Sequence, residues 1–293
     1  MRIAHLIMVH KNAAQVERLV KALAHEQFDF YIHLDAKANL EDYAGVAALP
    51  QVTFIQKRYD IPWASYNLTA AAVQGIREIL ASGTSYDFIN LMSGQDYPIK
   101  SPDSIYSFFA RHIGCTFLAF EPQSEDSEWW RHAIGRIEKY HMIQFSFKAR
   151  YRVEKVLNWL LPKRKFPLPY KLYGGTYGTW WTMGTDCAAY LLKFMDEHPG
   201  LRRFSYFTWA PDEFLVSTIL MNSPLKDKII NDNYRYLDWS RGGPNPKTLT
   251  VEDANELARS YKLFARKFDI TQDAEILDIV DGLVANSDFR LSV

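Results

Sequence analysis

The chain has 293 residues, 48% of them apolar and 15% aromatic, with 34 Lys and Arg balancing 34 Asp and Glu. This length and apolar content suffice for one sizeable core, and zero formal charge excludes an overall field that recruits nucleic acid, so an anionic ligand must meet a local cluster of cations. Two cysteines, Cys115 and Cys187, exclude a disulfide framework and fit a reducing compartment, and no run of about 18 apolar residues is present to span a bilayer.

Ile3 to Met8 reads as a buried strand closing at Val9-His10-Lys11-Asn12, and Ala13 to His25 carries helical spacing at Val16, Leu19, Val20 and Leu23. A short strand followed at once by His10 and Lys11 is not a secretory signal. Phe28 to Leu34 and Val52 to Ile55 read as the next strands, and a helix is expected from about Asn67 to Leu80. Strands alternating with helices predict an α/β fold, a mostly parallel central sheet with helices on both faces. No G-x-G-x-x-G or P-loop pattern follows the first strand, which removes dehydrogenase and P-loop readings. Asp35, at the end of the second strand, has two readings: an acceptor for a ribose or base, or a cap on its own turn.

The stretch Tyr86 to Lys100 is an apolar strand ending abruptly in Ser93-Gly94-Gln95-Asp96. In an open α/β sheet the loops leaving carboxyl strand ends line the ligand crevice, so this loop is expected to face a substrate; a tight turn is the other reading. Ser101-Pro102-Asp103 reads as N-cap, N1 and N2 of the following helix.

From Glu121 the periodicity weakens. Ser127 opens a helical stretch with Trp129, Trp130 and Arg131, where side-by-side indoles near charges suit a sugar, or else simply pack into the core. Residues 148–171 are basic and aromatic-aliphatic, which reads either as peripheral contact with an anionic membrane or as a solvated excursion. Gly174 to Trp181 combines glycines, which permit close backbone approach, with the paired indoles Trp180 and Trp181. Pro211-Asp212-Glu213 is expected to start a helix; its carboxylates either complement the helix dipole or do chemistry beside Trp209. Tyr234 to Trp239 reads as a strand leading into a Pro/Gly loop with Arg241 and Lys247. Thr250 to Asp253 then opens a helix with an apolar stripe of Leu257, Tyr261, Phe264 and Phe268, closing on Arg266 and Lys267.

A possible ribose acceptor, an aromatic wall, a carboxylate at a helix start and late cations are the inventory of a nucleotide-sugar glycosyltransferase. Inversion needs one base, assigned to Glu213, and positive charge for the leaving diphosphate from Arg241, Lys247, Arg266 or Lys267, since no D-x-D motif stands at a strand end to hold a metal. Two alternatives remain: a carbohydrate-binding protein without catalysis, and a glycoside hydrolase. The hydrolase needs two flanking carboxyl groups, and adjacent helical residues point about 100° apart.

The pieces Val9-His10-Lys11, Ile32-His33-Leu34-Asp35, Ile61-Pro62-Trp63, Ser93 to Lys100, Pro211-Asp212-Glu213 and Leu263 to Asp269, in this order, resemble the core-2/I-branching β-1,6-N-acetylglucosaminyltransferases and the related peptide O-xylosyltransferases. The resemblance implies a GT-A-like fold and an inverting transferase that needs no cofactor or metal and takes its sugar from a UDP-sugar. It implies Glu213 as base and Arg266-Lys267 as the diphosphate pair. It also implies that Val9, Asp35, Ile61, Pro62, Trp63 and Ser240 touch the nucleotide, with Trp180 and Trp181 at the donor sugar. The family's xylosyltransferases carry Asp-Trp at that last place, so GlcNAc and xylose types stay open. Acceptor contacts are expected from Gln95, Asp96, Trp129, Trp130, Arg131 and Trp239. Few cysteines and no N-terminal anchor set the chain apart from secreted animal members. A cytoplasmic bacterial-type enzyme is expected, acting on a saccharide or lipid-linked saccharide in surface-glycan synthesis, with residues 148–171 touching the inner membrane face. One domain is expected, residues 1–120 forming a nucleotide-binding half and residues 121–293 an acceptor and catalytic half.

Overall fold

The computed structural model describes residues 1–243 and 245–286; Pro244 of the loop after Trp239 lies outside them. The strands are β1 (Ile3–Val9), β2 (Phe28–Leu34), β3 (Val52–Phe54), β4 (Phe88–Ser93), β5 (Asp96–Pro98), β6 (Thr116–Leu118), β7 (Glu121–Pro122), β8 (Tyr173–Gly174), β9 (Thr182–Gly184), β10 (Ile229–Asn231), β11 (Arg235–Leu237) and β12 (Phe264–Arg266). The chain divides into two compact units, neither continuous in sequence: Met1–Phe54, Asn90–Ile113 and Tyr234–Val293 form one, Ile55–Ile89 and Gly114–Asn233 the other. These boundaries differ from the expected division after residue 120, because the chain leaves the first unit at Phe54 and returns to it through β4 and again at Tyr234.

In the first unit β1 pairs in parallel with β2, and β2 with β3. Every residue of β1 and β2 is buried, as continuous apolar runs in a parallel sheet require. A second sheet joins β11 to β12 in parallel and β12 to β5 antiparallel. Here the structure corrects the sequence reading. The helix after Thr250 is only Ala254–Arg259, and Phe264–Arg266 is a strand. Helical spacing of Leu257, Tyr261, Phe264 and Phe268 was coincidental: Tyr261 is exposed, while Phe264 and Phe268 are buried in the strand and the turn after it. Arg266 and Lys267 therefore owe nothing to a helix dipole.

The turn between β4 and β5 ties this unit together. Gly94 N donates to Met8 O at 2.9 Å, and a Cβ on Gly94 would meet Val16 Cγ2 at 3.1 Å. Buried Gln15 donates to Gly94 O and Phe268 O, and its carbonyl accepts from Ile270 N. Asp96 accepts from Ser93 N at 3.2 Å and from Arg266 Nη1 at 2.9 Å, and it is fully buried. Ser101 caps the helix Pro102–Ala110 as expected, accepting from Ser104 N.

In the second unit β10 pairs in parallel with β6, β6 pairs antiparallel with β9, and β7 and β8 form an antiparallel ribbon. The helix Glu128–Glu138, capped by Ser127, buries Trp130, Ala133 and Ile137 against Leu172 and Phe214. The expected helix at Pro211 opens as a 3-10 turn, Pro211–Glu213, before the α-helix Leu215–Met221. The protein is thus α/β with mostly parallel strand pairing. Among the described residues no helix is long and apolar enough to cross a membrane.

Candidate functional site

In the second unit the chemistry gathers around Glu213. Two glycines place it. A Cβ on Gly178 would lie 2.5 Å from Glu213 O, and one on Gly174 would lie 2.9 Å from the same atom and 2.9 Å from the Trp129 ring. Gly175 N donates to Glu213 O at 3.0 Å, so the loop that the sequence marked for close approach packs its backbone directly onto the backbone of this glutamate. Arg136 Nη1 donates to the Glu213 carboxylate, and Trp129 hydrogen-bonds it as well. The guanidinium lies 5.5 Å from the centre of the Trp129 ring. Burial pushes the Glu213 carboxyl up to about 7; Arg136 pulls it down and Asp212 pushes it up. A carboxyl poised there can take a proton near neutral pH.

Asp212 has a different task. Its Oδ2 accepts from the Thr179 hydroxyl at 2.7 Å, and its buried Oδ1 has no hydrogen-bond partner among the described residues. Burial raises its pKa. The pair is therefore split, one carboxyl pinning the glycine loop and the other beside an arginine. Arg136 carried no role in the sequence reading, although Trp129 and Arg136 are seven residues apart on one helix face, which is a usable signal.

The aromatic residues expected at a sugar separate into two groups. Trp129 reaches Glu213, whereas Trp130 is buried in the core with its indole N–H donating to Glu121 O at 3.1 Å. Trp181 is likewise buried, which removes it and Trp130 from any exposed wall, while Trp180 is half-buried. Arg131 is exposed and donates to the Glu125 and Asp126 carbonyls. Trp63 is exposed and meets half-buried Trp209 edge-on at 5.2 Å, following half-buried Ile61 and Pro62.

The first unit gathers charge at the carboxyl ends of β1 and β2. Asp35 N donates to Val9 O at 2.7 Å, so Val9 and Asp35 lie side by side. The Asp35 carboxylate accepts from Lys37 N at 2.9 Å, as a turn cap does, and lies 3.8 Å from Lys37 Nζ. Lys11 Nζ lies 2.5 Å from Asp269, which also accepts from Asn12. Burial opposes ionisation of Asp269, but hydrogen bonds from Lys11 and Thr271 outweigh it and hold the carboxyl at about 2. Lys267 is pulled below the usual lysine value by burial, then by the positive charges of Arg266 and Lys11. His10 is lowered by burial, then by Lys11 and Lys267. A lysine and a histidine that neighbouring cations make harder to protonate mark a locally positive field, which favours an anion. His10 and Lys11 stood at the strand end in the sequence without a role; the structure adds them.

Three further expectations are corrected. Gln95 and Asp96 are buried in the turn after β4, with Asp96 held by Arg266 and Gln95 Nε2 donating to Phe268 O, so they shape the unit rather than face an acceptor. Arg266 is itself buried against Asp96, which leaves Lys267 as the more available member of that pair. Lys247 is engaged by Asp253 at 2.5 Å and Asp238 at 3.8 Å, so its charge is compensated within its own loop. Ser240 and Arg241 are exposed, with Ser240 N donating to Asp238. Trp239 is half-buried, and its indole N–H has no partner among the described residues.

The second unit thus holds a carboxyl whose pKa is pushed up to about 7 beside an arginine, and the first unit, taken by itself, holds a cluster of cations at strand ends. Comparison by sequence goes further: the family model described as Core-2/I-Branching enzyme matches residues 3–258, and the chain belongs to that family. It is 26% identical over 303 residues to xylosyltransferase 2 of Rattus norvegicus and 24% identical over 308 residues to xylosyltransferase 1 of Homo sapiens. These matches cover 96% of this chain in both cases but 33% and 30% of the relatives, so the chain spans about a third of the curated proteins it matches. Among solved structures, a galactosyltransferase with donor and acceptor sugar analogues gives a TM-score of 0.45 at 9% identity, covering 98% of both chains.

Proposed function

We propose that the chain is an inverting, metal-independent glycosyltransferase of GT-A type that moves a GlcNAc- or xylose-type sugar from a UDP-sugar to a saccharide hydroxyl. Glu213 is the base. It takes the proton of the acceptor hydroxyl as that oxygen bonds to the anomeric carbon, the bond from this carbon to UDP breaks with its electrons leaving on the diphosphate, and Glu213 then returns its proton to solvent. Lys267, aided by Arg241, neutralises the departing diphosphate, the task a divalent ion performs elsewhere. Val9, Asp35, Ile61, Pro62, Trp63 and Ser240 are assigned to the nucleotide, Trp180 to the donor sugar, and Trp129, Arg131 and Trp239 to the acceptor. The observation that carries the reading is the Glu213 carboxyl, pushed up to about 7 in a chain of this family.

The acceptor is read as a lipid-linked saccharide of a bacterial surface glycan, with the enzyme working at the inner face of the membrane. The test is a thermal-shift screen of UDP-sugars with and without chelator, followed by transfer to soluble saccharides. A ligand that binds only the folded state raises its apparent stability. A shift that persists in EDTA, with turnover from the same donor, is expected; strict dependence on manganese contradicts the charge assignment, and release of free sugar without nucleotide contradicts transfer.

A further inference from the structure

The helix Arg150–Leu160 is amphipathic in reverse. Its polar side is the one held to the protein: Glu154 accepts from Met142 N at 2.9 Å, and Asn158 accepts from Tyr140 N and donates to Tyr140 O, both at 2.8 Å. None of its residues is buried, and Val153, Val156, Trp159 and Leu160 are all exposed, Trp159 at 81%. Val153, Val156 and Leu160 follow i, i+3, i+7 spacing, so they form one stripe with Trp159 beside it. Exposed Tyr151 and Leu161 continue this surface at the two ends of the helix. An open depression of about 550 Å³ at the helix start, lined by Phe145, Phe147, Lys148 and Arg150 among others, extends it.

Cations surround the stripe. Residues 147–171 contain eight Lys and Arg and a single acid, Glu154, which is turned inward. Of the eight, Arg164 is buried and donates to main-chain carbonyls of Lys139, Phe204 and Phe207, and Lys163 pairs with Glu138. Lys148, Arg152, Lys155, Lys165 and Lys171 are exposed, and Arg150 is half-buried.

We propose that this face docks on an anionic lipid bilayer, with Val156, Trp159 and Leu160 entering the headgroup–acyl boundary and Lys148, Arg152, Lys155 and Lys165 meeting lipid phosphates. Tryptophan and tyrosine beside aliphatics are suited to that boundary, and the excess of cations matches its charge. A second copy of the chain is disfavoured as the occupant, because self-pairing would bring the same cations together. Arg164 and the Asn158 and Glu154 bonds fix the helix to its own unit, so the face is presented ready-made.

This inference rests on the lipid-linked acceptor read above, and its test separates the two. The full chain is sedimented without nucleotide sugar in low and high salt, with phosphatidylcholine vesicles and with phosphatidylcholine–phosphatidylglycerol vesicles. Binding to the anionic vesicles that falls with salt is expected. Trp159→Glu should lower it at least about tenfold, and each of Arg152→Glu and Lys155→Glu about fivefold or more. All three side chains are exposed, and unchanged thermal melts confirm folding. Equal binding of the wild type and Trp159→Glu overturns the proposal. So does absence of binding while transfer to a soluble saccharide persists, or a dimer in sedimentation equilibrium that Trp159→Glu dissociates. Vesicle binding without transfer from any donor would instead remove the transferase reading and leave the docking face standing.

Discussion

Arg136 and Glu213 are 77 residues apart in the chain, yet the guanidinium of the first donates to the carboxylate of the second. Trp129 lies on the same carboxylate, and the glycine loop closes over its backbone. The pair is partly buried, so the arginine only partly offsets the cost of desolvating the carboxylate, and the group titrates where a base is useful.

For Glu213→Gln, turnover should fall by about two to four orders of magnitude while UDP affinity is nearly unchanged. In the wild type, kcat/KM should rise with pH through an acidic limb near 7, the value to which burial pushes this group. The stability sign follows from the same shift. The folded pKa lies above the ordinary 4.5, so the native state holds this proton more tightly. Its contribution is present at pH 4 and is lost as pH rises through 7. Denaturant melts from pH 5 to 8 should show wild-type stability declining relative to Glu213→Gln, by at most about 3 kcal/mol. Parallel pH profiles for the two proteins would contradict the assignment.

Replacing Arg136 tests the tuning. Its charge lowers the Glu213 pKa, so Arg136→Met should move the acidic limb to higher pH by about one unit, and Arg136→Lys should restore much of it. A purely structural role would change melting temperature and leave the limb in place.

Lys267→Ala should weaken UDP binding about tenfold or more, the usual loss when a hydrogen bond to a charged group is removed, with EDTA making no further difference. Titration calorimetry with UDP reads this directly. Lys247→Ala should do much less to UDP, because Asp253 and Asp238 already hold that ammonium.

Asp96→Ala should destabilise the protein by about 3–5 kcal/mol, since it strands the buried Arg266 without its carboxylate. A lower denaturant midpoint is expected. Had Asp96 served an acceptor, stability would hold and only the acceptor KM would rise.

Much of this was legible from short-range pattern. The strand Phe28–Leu34 and the helix Asn67–Leu80 have the bounds that periodicity assigned, and Ser101 caps where it was placed. Leu263 to Phe268 has apolar spacing that a strand and a helix stripe share over a few residues, and it forms a strand and the turn after it. Pairing with β11 on one side and β5 on the other settles the matter, and neither partner is adjacent in sequence. The two indoles of Trp129-Trp130 look alike in sequence, but consecutive helical residues point about 100° apart, so one meets Glu213 and the other the core.

The sequence by itself determined the α/β class, the candidate carboxylate at Glu213, a glycine loop open to close backbone approach and the cations late in the chain, because each is a local property of residue type and order. Tertiary structure alone decided which of those charges are already compensated, as Arg266, Lys247 and Asp96 are, and which carboxyl is tuned. Burial and long-range ion pairing set those outcomes, and both depend on side chains brought together from distant parts of the chain.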